Sequence, residues 1–293
     1  MCGIATTSPK GFSAAIFGAP HGTPYKGIDN RIHGSAPDAF RAALASDRDW
    51  LGHWDFDMGG PLLRRGLKIA DLGNLATKPG SGAQNRKLIE TCTHRILEAG
   101  AVPIMFGGDD STPIPFIAGF AGSPPTTILQ IDAHIDWREE RYGERLGFSS
   151  TMRRASEQPH VWRIVQAGAR GLGSARTQEV NDAVKWGSRI VTARDIHKSG
   201  IEAVLEHIPE DSDCVISLDL DALDLSQMPA VAYPTPGGLT YTQVLELIEG
   251  VARKARIAGF AMVEFVPKRD LNGTAAFTAA RLVANVIGRL AAD

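Results

Sequence analysis

The sequence predicts an α/β protein whose mainly parallel sheet is covered by helices on both faces. Short apolar runs bounded by turn residues recur along the chain, and amphipathic segments with helical spacing lie between them. Runs of this kind are typical of strands buried on both faces, and their alternation with helices favours parallel pairing. No linker, repeat or low-complexity tract divides the chain, so we expect one domain over residues 1–293.

Six apolar runs are predicted as strands of this sheet. They are Ala14–Phe17, Val102–Phe106, Thr127–Ile131, Ile164–Ala167, Val215–Leu220 and Phe260–Val263. In an open parallel sheet, ligands bind beyond the carboxyl ends of the strands. The residues that follow these runs are therefore the first candidates for chemistry.

Three further segments are predicted as helices. Residues 84–99 carry apolar side chains at spacings of three and four. Thr240 and Gln243 form a capping box, in which each side chain satisfies a free backbone donor of the other residue, so a second helix is expected to begin there. A third apolar stripe runs through residues 275–293.

Composition excludes several classes of partner. The chain has 31 Lys and Arg against 33 Asp and Glu, and this net charge of −2 argues against nucleic acid. No apolar run approaches the roughly 18 residues of a membrane-spanning helix. Cys2, Cys92 and Cys214 are odd in number and widely spaced, which fits neither a disulfide framework nor a paired-cysteine zinc site. We expect reduced thiols in a cytoplasmic protein.

Acidic residues and one histidine lie at or just after the carboxyl ends of three of the predicted strands: Asp110, Asp132, His134, Asp136, Asp219 and Asp221. If strand geometry persists beyond residue 131, the alternating spacing points Asp132, His134 and Asp136 the same way. Like charges gathered at one edge of a sheet are unfavourable unless cations neutralise them. We infer divalent metal, and the number of ligands suggests two ions. Ligands dominated by oxygen favour Mn²⁺.

Four motifs occur in a specific order along the chain: Gly107–Ser111, Asp132–Asp136, Ser217–Asp224 and Val263–Pro267. In that order they resemble the signatures of the ureohydrolase (arginase/agmatinase) family, with agmatinase-like members the most similar. The similarity extends through Gly18–Pro20, Ser35–Arg41 and Pro236–Thr240, and so covers nearly the whole chain.

The resemblance implies a three-layer α/β/α fold, a centre of two manganese ions, and hydrolysis of a guanidino compound such as agmatine to an amine and urea. It also implies that Asp132, His134, Asp136, Asp219 and Asp221 bind the metals. We count Asp136 and Glu264 as catalytic. In the family, the acid at the position of Glu264 grips the guanidinium. A planar cation with paired N–H donors is best held by a bidentate carboxylate. Homo-oligomers, either trimers or hexamers, are implied as well, possibly with a paralogous subunit.

Two positions depart from the residues that the family usually has. Asp110 replaces a histidine, and we hypothesise that it still binds metal. Ser149, or the neighbouring Phe148, replaces a histidine credited with proton transfer or substrate contact. Serine does not titrate near neutral pH, so we assign Ser149 to substrate binding and expect the proton to come from elsewhere. Trp137 is assigned to stack on the substrate cation, with simple packing as the alternative.

Other functions stay open. The departures at Asp110 and Ser149 also fit a nickel-dependent hydrolase of a substituted guanidine or a biguanide, such as dimethylguanidine or metformin. A catalytically silent partner subunit and a deacetylase-type enzyme on the same fold are further alternatives, and Glu264 and Pro267 argue against the deacetylase. The seven histidines other than His134 are interpreted as structural or surface residues.

Overall fold

The computed structural model describes residues 3–63, 66–173 and 175–290. Over these residues nine strands form one sheet: β1 (Ile4–Ala5), β2 (Ala14–Ala19), β5 (Ile69–Asn74), β6 (Val102–Gly107), β7 (Thr126–Ile131), β8 (Val161–Ala169), β9 (Arg189–Thr192), β10 (Asp213–Asp219) and β11 (Arg256–Val263). Strands β3 (Trp54–Asp55) and β4 (Gly60–Pro61) form a separate antiparallel pair.

Every neighbouring pair in the nine-stranded sheet is parallel. All six predicted strands are confirmed, and most of them are a few residues longer than the apolar runs. Three strands of this sheet were not predicted, namely β1, β5 and β9. Their sequences are too short, or too interrupted by polar residues and glycine, to stand out as apolar runs.

Helices cover both faces of this sheet. They are α1 (Ala36–Ser46), α2 (Gly82–Glu98), α3 (Pro113–Ala118), α4 (Thr151–Ala155), α5 (Thr177–Trp186), α6 (Ala193–Ser199), α7 (Glu202–Leu205), α8 (Tyr241–Lys254) and α9 (Thr274–Gly288). In β2, Ala14 and Ile16 pack into one buried cluster with α1 and α6 to α9. Ala15 and Phe17 face the other cluster, which receives α2 to α5. Alternate residues of one strand thus serve two cores, which confirms the three-layer α/β/α fold.

The predicted helices are confirmed as α2, α8 and α9, although residues 291–293 lie outside the described part of the chain. At the start of α8, Thr240 Oγ1 accepts a hydrogen bond from the Gln243 N–H at 3.1 Å, and Gln243 Oε1 accepts one from the Thr240 N–H at 3.0 Å. The capping box therefore forms as expected.

The cysteines that the structure describes are unpaired and buried. They are Cys92 and Cys214, and burial raises the pKa of the Cys214 thiol to about 12. Cys2 lies outside the described residues. Among the helices described, none combines the length and the apolar character needed to cross a membrane.

The strand order determines which loops meet. It runs β1-β5-β2-β6-β11-β10-β7-β8-β9, so the chain crosses from β6 to β7 and leaves a gap that β10 and β11 fill later. The carboxyl ends of β6, β11, β10 and β7 are consecutive neighbours in space, although they are distant in sequence. Such a reversal of strand order is where parallel sheets place ligand sites.

Candidate metal centre

The carboxyl ends of β6, β7, β10 and β11 border a cavity of about 370 Å³. Seven of the residues that line it were predicted from the sequence: Asp110, His134, Asp136, Ser149, Asp219, Asp221 and Glu264. The tertiary structure therefore brings together side chains that lie up to 154 positions apart, as for Asp110 and Glu264.

Two groups of side chains have the geometry of a cation site. Asp132, His134 and Asp221 form one group, and Asp110, Asp132 and Asp219 form the other, with the candidate ligand atoms of each group within 4.8 Å of one another. Asp132 belongs to both, so the two positions are adjacent. Oxygen-rich, paired positions of this kind suit two divalent ions that share a carboxylate ligand.

Asp136 is tied to these groups through a buried amide. Gln130 Nε2 donates to Asp132 Oδ2 at 2.8 Å and to Asp136 Oδ2 at 2.7 Å. Gln166 Nε2 in turn donates to Gln130 Oε1 at 2.5 Å and to the Ile135 carbonyl oxygen at 2.7 Å. These hydrogen bonds hold two carboxylates of the centre in fixed orientations, as the partners of metal ligands commonly do.

Turns rather than a continued strand produce the convergence, so the predicted alternation past residue 131 is wrong. Strand β7 ends at Ile131, and Asp132 Oδ1 then accepts a hydrogen bond from the His134 N–H at 2.6 Å. Asp136 has a left-handed backbone with a φ of 43°. Likewise, Asp219 Oδ1 accepts from the Asp221 N–H at 2.7 Å. Short polar side chains that bond to the backbone two residues on form tight turns of this kind.

The buried negative charges of the site favour the binding of cations. Burial and the neighbouring carboxylates raise the pKa of Asp110, Asp136 and Asp219 well above the usual value. Burial alone would favour a neutral His134, but the nearby Asp132 and Asp221 outweigh it and raise the pKa of this ring to about 12. Moreover, Asp110 Oδ2 is buried without a hydrogen-bond partner. An orphaned carboxylate oxygen among other acids fits a pair of divalent cations well.

Glu264 lies beside these acids at the end of β11. Its backbone has a φ of 67°, and its Oε1 accepts a hydrogen bond from the Asp110 N–H at 2.9 Å. Its Oε2 is buried with no hydrogen-bond partner and lies 3.5 Å from His33 Nε2. Burial raises the pKa of Glu264 to about 7. One carboxylate oxygen is thus anchored by a backbone N–H, while the other accepts no hydrogen bond, and the residue lines the cavity.

The residues predicted to contact the substrate, together with Phe148, have different environments. Ser149 lines the cavity, and its Oγ lies 2.6 Å from the Tyr25 hydroxyl. Phe148 also lines the cavity and packs on the Tyr25 ring at 4.8 Å between centroids. Trp137, in contrast, is 2 % exposed and packs on Trp186 at 5.9 Å within the core. The substrate contact predicted for Trp137 is therefore withdrawn in favour of the packing alternative.

Several residues of the site were missed in the sequence. His33 was interpreted as structural or surface, yet it stands behind Glu264 and its Nδ1 lies 2.9 Å from the Phe265 carbonyl oxygen. Gln130 and Gln166 did leave a signal, because each is a polar residue inside an apolar run. Tyr25 and Arg141 left none, since no spacing links them to the acidic motifs.

Comparison with known proteins identifies the family. The model of the Arginase family matches residues 12–288. The chain belongs to the arginase family. This confirms the ureohydrolase resemblance drawn from the four motifs.

Individual relatives have more specific names. The chain is 29% identical over 284 residues to the mitochondrial guanidino acid hydrolase of Homo sapiens, covering 94% of this chain and 78% of that protein. It is also 29% identical over 270 residues to the agmatinase of Pyrococcus horikoshii, covering 91% and 89% of the two chains. The crystal structure of agmatine ureohydrolase of Thermoplasma volcanium is similar with a TM-score of 0.79 at 26% identity, covering 99% and 94%.

We expect the metal-free protein to lose stability as the pH rises from about 5 to about 8. Asp110, Asp136 and Asp219 have pKa values raised above those of the unfolded chain, so the folded state binds more protons there. The free energy of unfolding must then fall with rising pH. Thermal unfolding of chelator-treated protein across this range measures the effect, with metal-loaded protein as the control. A melting temperature of the treated protein that rises over the same range would contradict the electrostatic account.

Asp110→Ala is expected to reduce the metal content of the purified, dialysed protein below two ions per chain, because it removes one member of the second ligand group. Asp224→Ala is the matched control, since Asp224 accepts a hydrogen bond from the Ser226 hydroxyl at 2.7 Å and belongs to neither ligand group. Elemental analysis measures both variants. An unchanged two-ion content in Asp110→Ala would remove Asp110 from the set of ligands.

Proposed function

We propose that this protein hydrolyses a small linear guanidino compound to an amine and urea, with two divalent cations as cofactors. The observation that carries the proposal is Glu264, a buried carboxylate with no hydrogen-bond donor on its Oε2, which lines the same cavity as most of the candidate metal ligands. A guanidinium is planar and offers paired N–H donors, which match a carboxylate. The names of relatives, among them guanidino acid hydrolase and agmatinase, support the same reaction.

The residues of the site have different roles in the proposed reaction. Asp110, Asp132, His134, Asp136, Asp219 and Asp221 are proposed to hold the cations. The cations, when bound, supply charge neutralisation and acidify water near neutral pH. Glu264 grips the guanidinium and holds its carbon in the cavity, while Gln130 orients Asp136 to accept a proton from the attacking water.

The leaving amine needs a proton, and this chain has no histidine at the position where the family usually has one. Ser149 stands there, hydrogen bonded to the Tyr25 hydroxyl at 2.6 Å. A neutral hydroxyl pair binds and orients a substrate N–H group but does not titrate near neutral pH. We therefore assign Ser149 to substrate binding and the final proton to water.

Manganese is the proposed metal. Five aspartates and one imidazole form a ligand set dominated by hard oxygen donors, and such a set favours Mn²⁺ over softer ions. The sum of five carboxylates and two dications is −1, which favours a cationic substrate. A substituted guanidine or a biguanide, with nickel as the metal, is the second candidate, because Ser149 stands where the family usually has a histidine that contacts the substrate.

Glu264→Gln is expected to lower kcat/KM for guanidine hydrolysis by about 100-fold while leaving two metal ions per chain. The amide keeps the shape of the side chain but loses the charge and one of the acceptors that face the guanidinium. Urea release is measured after reconstitution with Mn²⁺ or Ni²⁺, across agmatine, guanidino acids, dimethylguanidine and metformin.

Glu179→Gln is the matched control for this substitution. Glu179 is also a buried glutamate, but it pairs with Arg176 and does not line the cavity. Its variant should keep nearly full activity. If Glu264→Gln hydrolysed guanidines as well as the parent protein, its role as the guanidinium clamp would be wrong. If the parent released no urea from any of these compounds, the silent-subunit alternative would replace the proposed function.

We also propose that the protein is a homo-oligomer. A groove of about 910 Å³ away from the metal centre is lined by large exposed apolar side chains, among them Trp54, Phe56 and Leu271. Phe56 is 91 % exposed. Clusters of this kind on a folded surface mark contacts with another protein, and a second copy of the same chain is the occupant that family resemblance implies.

Phe56→Glu is expected to shift the protein towards smaller species in sedimentation velocity, because it places a charge in the proposed interface. Trp162→Glu is the control, since Trp162 is 47 % exposed but lies outside the groove and packs on Arg163. A monomeric parent protein, or an equal effect of the two substitutions, would contradict this assignment.

A further inference from the structure

The lining of the cavity carries charges of both signs. Its base carries the aspartates and Glu264, whereas the loop that follows β7 contributes the guanidinium of Arg141 to the wall. The ion pairs of this loop join Glu139 to Arg145, Arg153 and Arg154, but none of the ion pairs among the described residues includes Arg141. A positive side chain without an acidic partner thus lines a cavity that is proposed to bind a cation.

Aromatic rings hold Arg141 in place. Its guanidinium carbon lies 5.3 Å from the ring centroid of Tyr25, 5.1 Å from that of Tyr142 and 5.9 Å from that of Phe148. The backbone N–H of Arg141 donates to the Glu144 carbonyl oxygen at 2.9 Å, which closes the loop. Contacts with ring faces stabilise the guanidinium while its in-plane N–H donors stay free for hydrogen bonding. Arg141 is therefore positioned without being neutralised.

The rings connect Arg141 to the reaction site. Tyr25, which contacts the Arg141 guanidinium, also meets the Ser149 hydroxyl at 2.6 Å. Phe148 and Tyr233 lie 5.7 Å apart and line the same cavity, so they add apolar surface to its wall. A substrate with a short aliphatic middle fits a lining that combines buried acids, aromatic rings and one guanidinium.

We propose that Arg141 binds an anionic group at the far end of the substrate, so that the preferred substrates are guanidino acids rather than guanidino amines. This inference rests on the proposed function. A fork of N–H donors is well suited to a carboxylate, whereas the ammonium tail of a guanidino amine meets a like charge there. The relatives do not distinguish guanidino acids from guanidino amines as substrates, because a guanidino acid hydrolase and an agmatinase are both 29% identical to this chain.

The test compares three guanidines of matched chain length that differ in their tails: 4-guanidinobutanoate, the neutral butylguanidine, and agmatine. The metal-loaded parent should have its highest kcat/KM with the acid and its lowest with agmatine. Arg141→Gln should lower kcat/KM for the acid by about 10- to 100-fold relative to butylguanidine, mainly through KM, and should raise kcat/KM for agmatine relative to butylguanidine. Arg141→Lys should recover part of the loss, because it restores the charge without the fork.

Arg145→Gln is the matched control. Arg145 belongs to the same loop and is 57% exposed, but it pairs with Glu139 and does not line the cavity. Its variant should keep the parent's order of substrates. If Arg141→Gln changed all three substrates by the same factor, or if the parent hydrolysed agmatine at least as well as the acid, the inference would be overturned while the proposed function stood.

A binding measurement separates the two proposals. Calorimetry of the metal-loaded protein with 4-aminobutanoate and with 1,4-diaminobutane reports on the tail contact without turnover. Tighter binding of the amino acid, lost in Arg141→Gln, supports the role of Arg141 even if no guanidine releases urea, in which case the proposed function alone fails. Equal binding of the two compounds, or no effect of Arg141→Gln, overturns the role of Arg141.

Discussion

Repulsion among buried carboxylates is the constraint around which this molecule is organised. Five aspartates and Glu264 lie at the carboxyl edge of the sheet, each at most 5 % exposed: Asp110, Asp132, Asp136, Asp219, Asp221 and Glu264. Without counter-charge, such a cluster favours protonation and opposes folding. Two adjacent positions rich in oxygen ligands provide a solution, because divalent cations turn the repulsion into coordination. The stability of the site and its chemistry thus have the same origin.

The scaffold and the loops contribute differently to the site. Asp219 ends strand β10, and Asp132 follows β7 directly, so rigid neighbours in the sheet place the acids at its base. Gln130, inside β7, fixes the orientation of two of these carboxylates. The outer wall comes instead from the loop after β7, with Arg141 and Phe148. In the proposed reaction the sheet positions the chemistry and the loop sets substrate selectivity, and a loop changes more easily without loss of the fold.

Asp110 connects the candidate metal centre to Glu264, the proposed guanidinium clamp. Its carboxylate belongs to a candidate ligand group, and its backbone N–H donates to Glu264 Oε1 at 2.9 Å. Glu264 itself adopts a left-handed backbone with a φ of 67°, a conformation that costs free energy for a residue with a side chain. The hydrogen bond from Asp110 helps to hold Glu264 in that conformation. A carboxylate at position 110 also leaves the centre more negative than a histidine does, which suits a cationic guanidinium.

The sequence by itself determined the strands of the inner sheet, the capping box of α8, the family, and the acids of the site, because these are encoded by residues that are neighbours along the chain. The tertiary structure decided which of the remaining residues reach the cavity. Trp137 follows the metal motif directly but points into the core, whereas His33 reaches the site from a 3₁₀ helix and Arg141 from the loop after β7. The order β6-β11-β10-β7 brings together loops that are far apart in sequence, and no local pattern encodes that order. Burial, turn geometry and unpaired charge arise only once those loops have met.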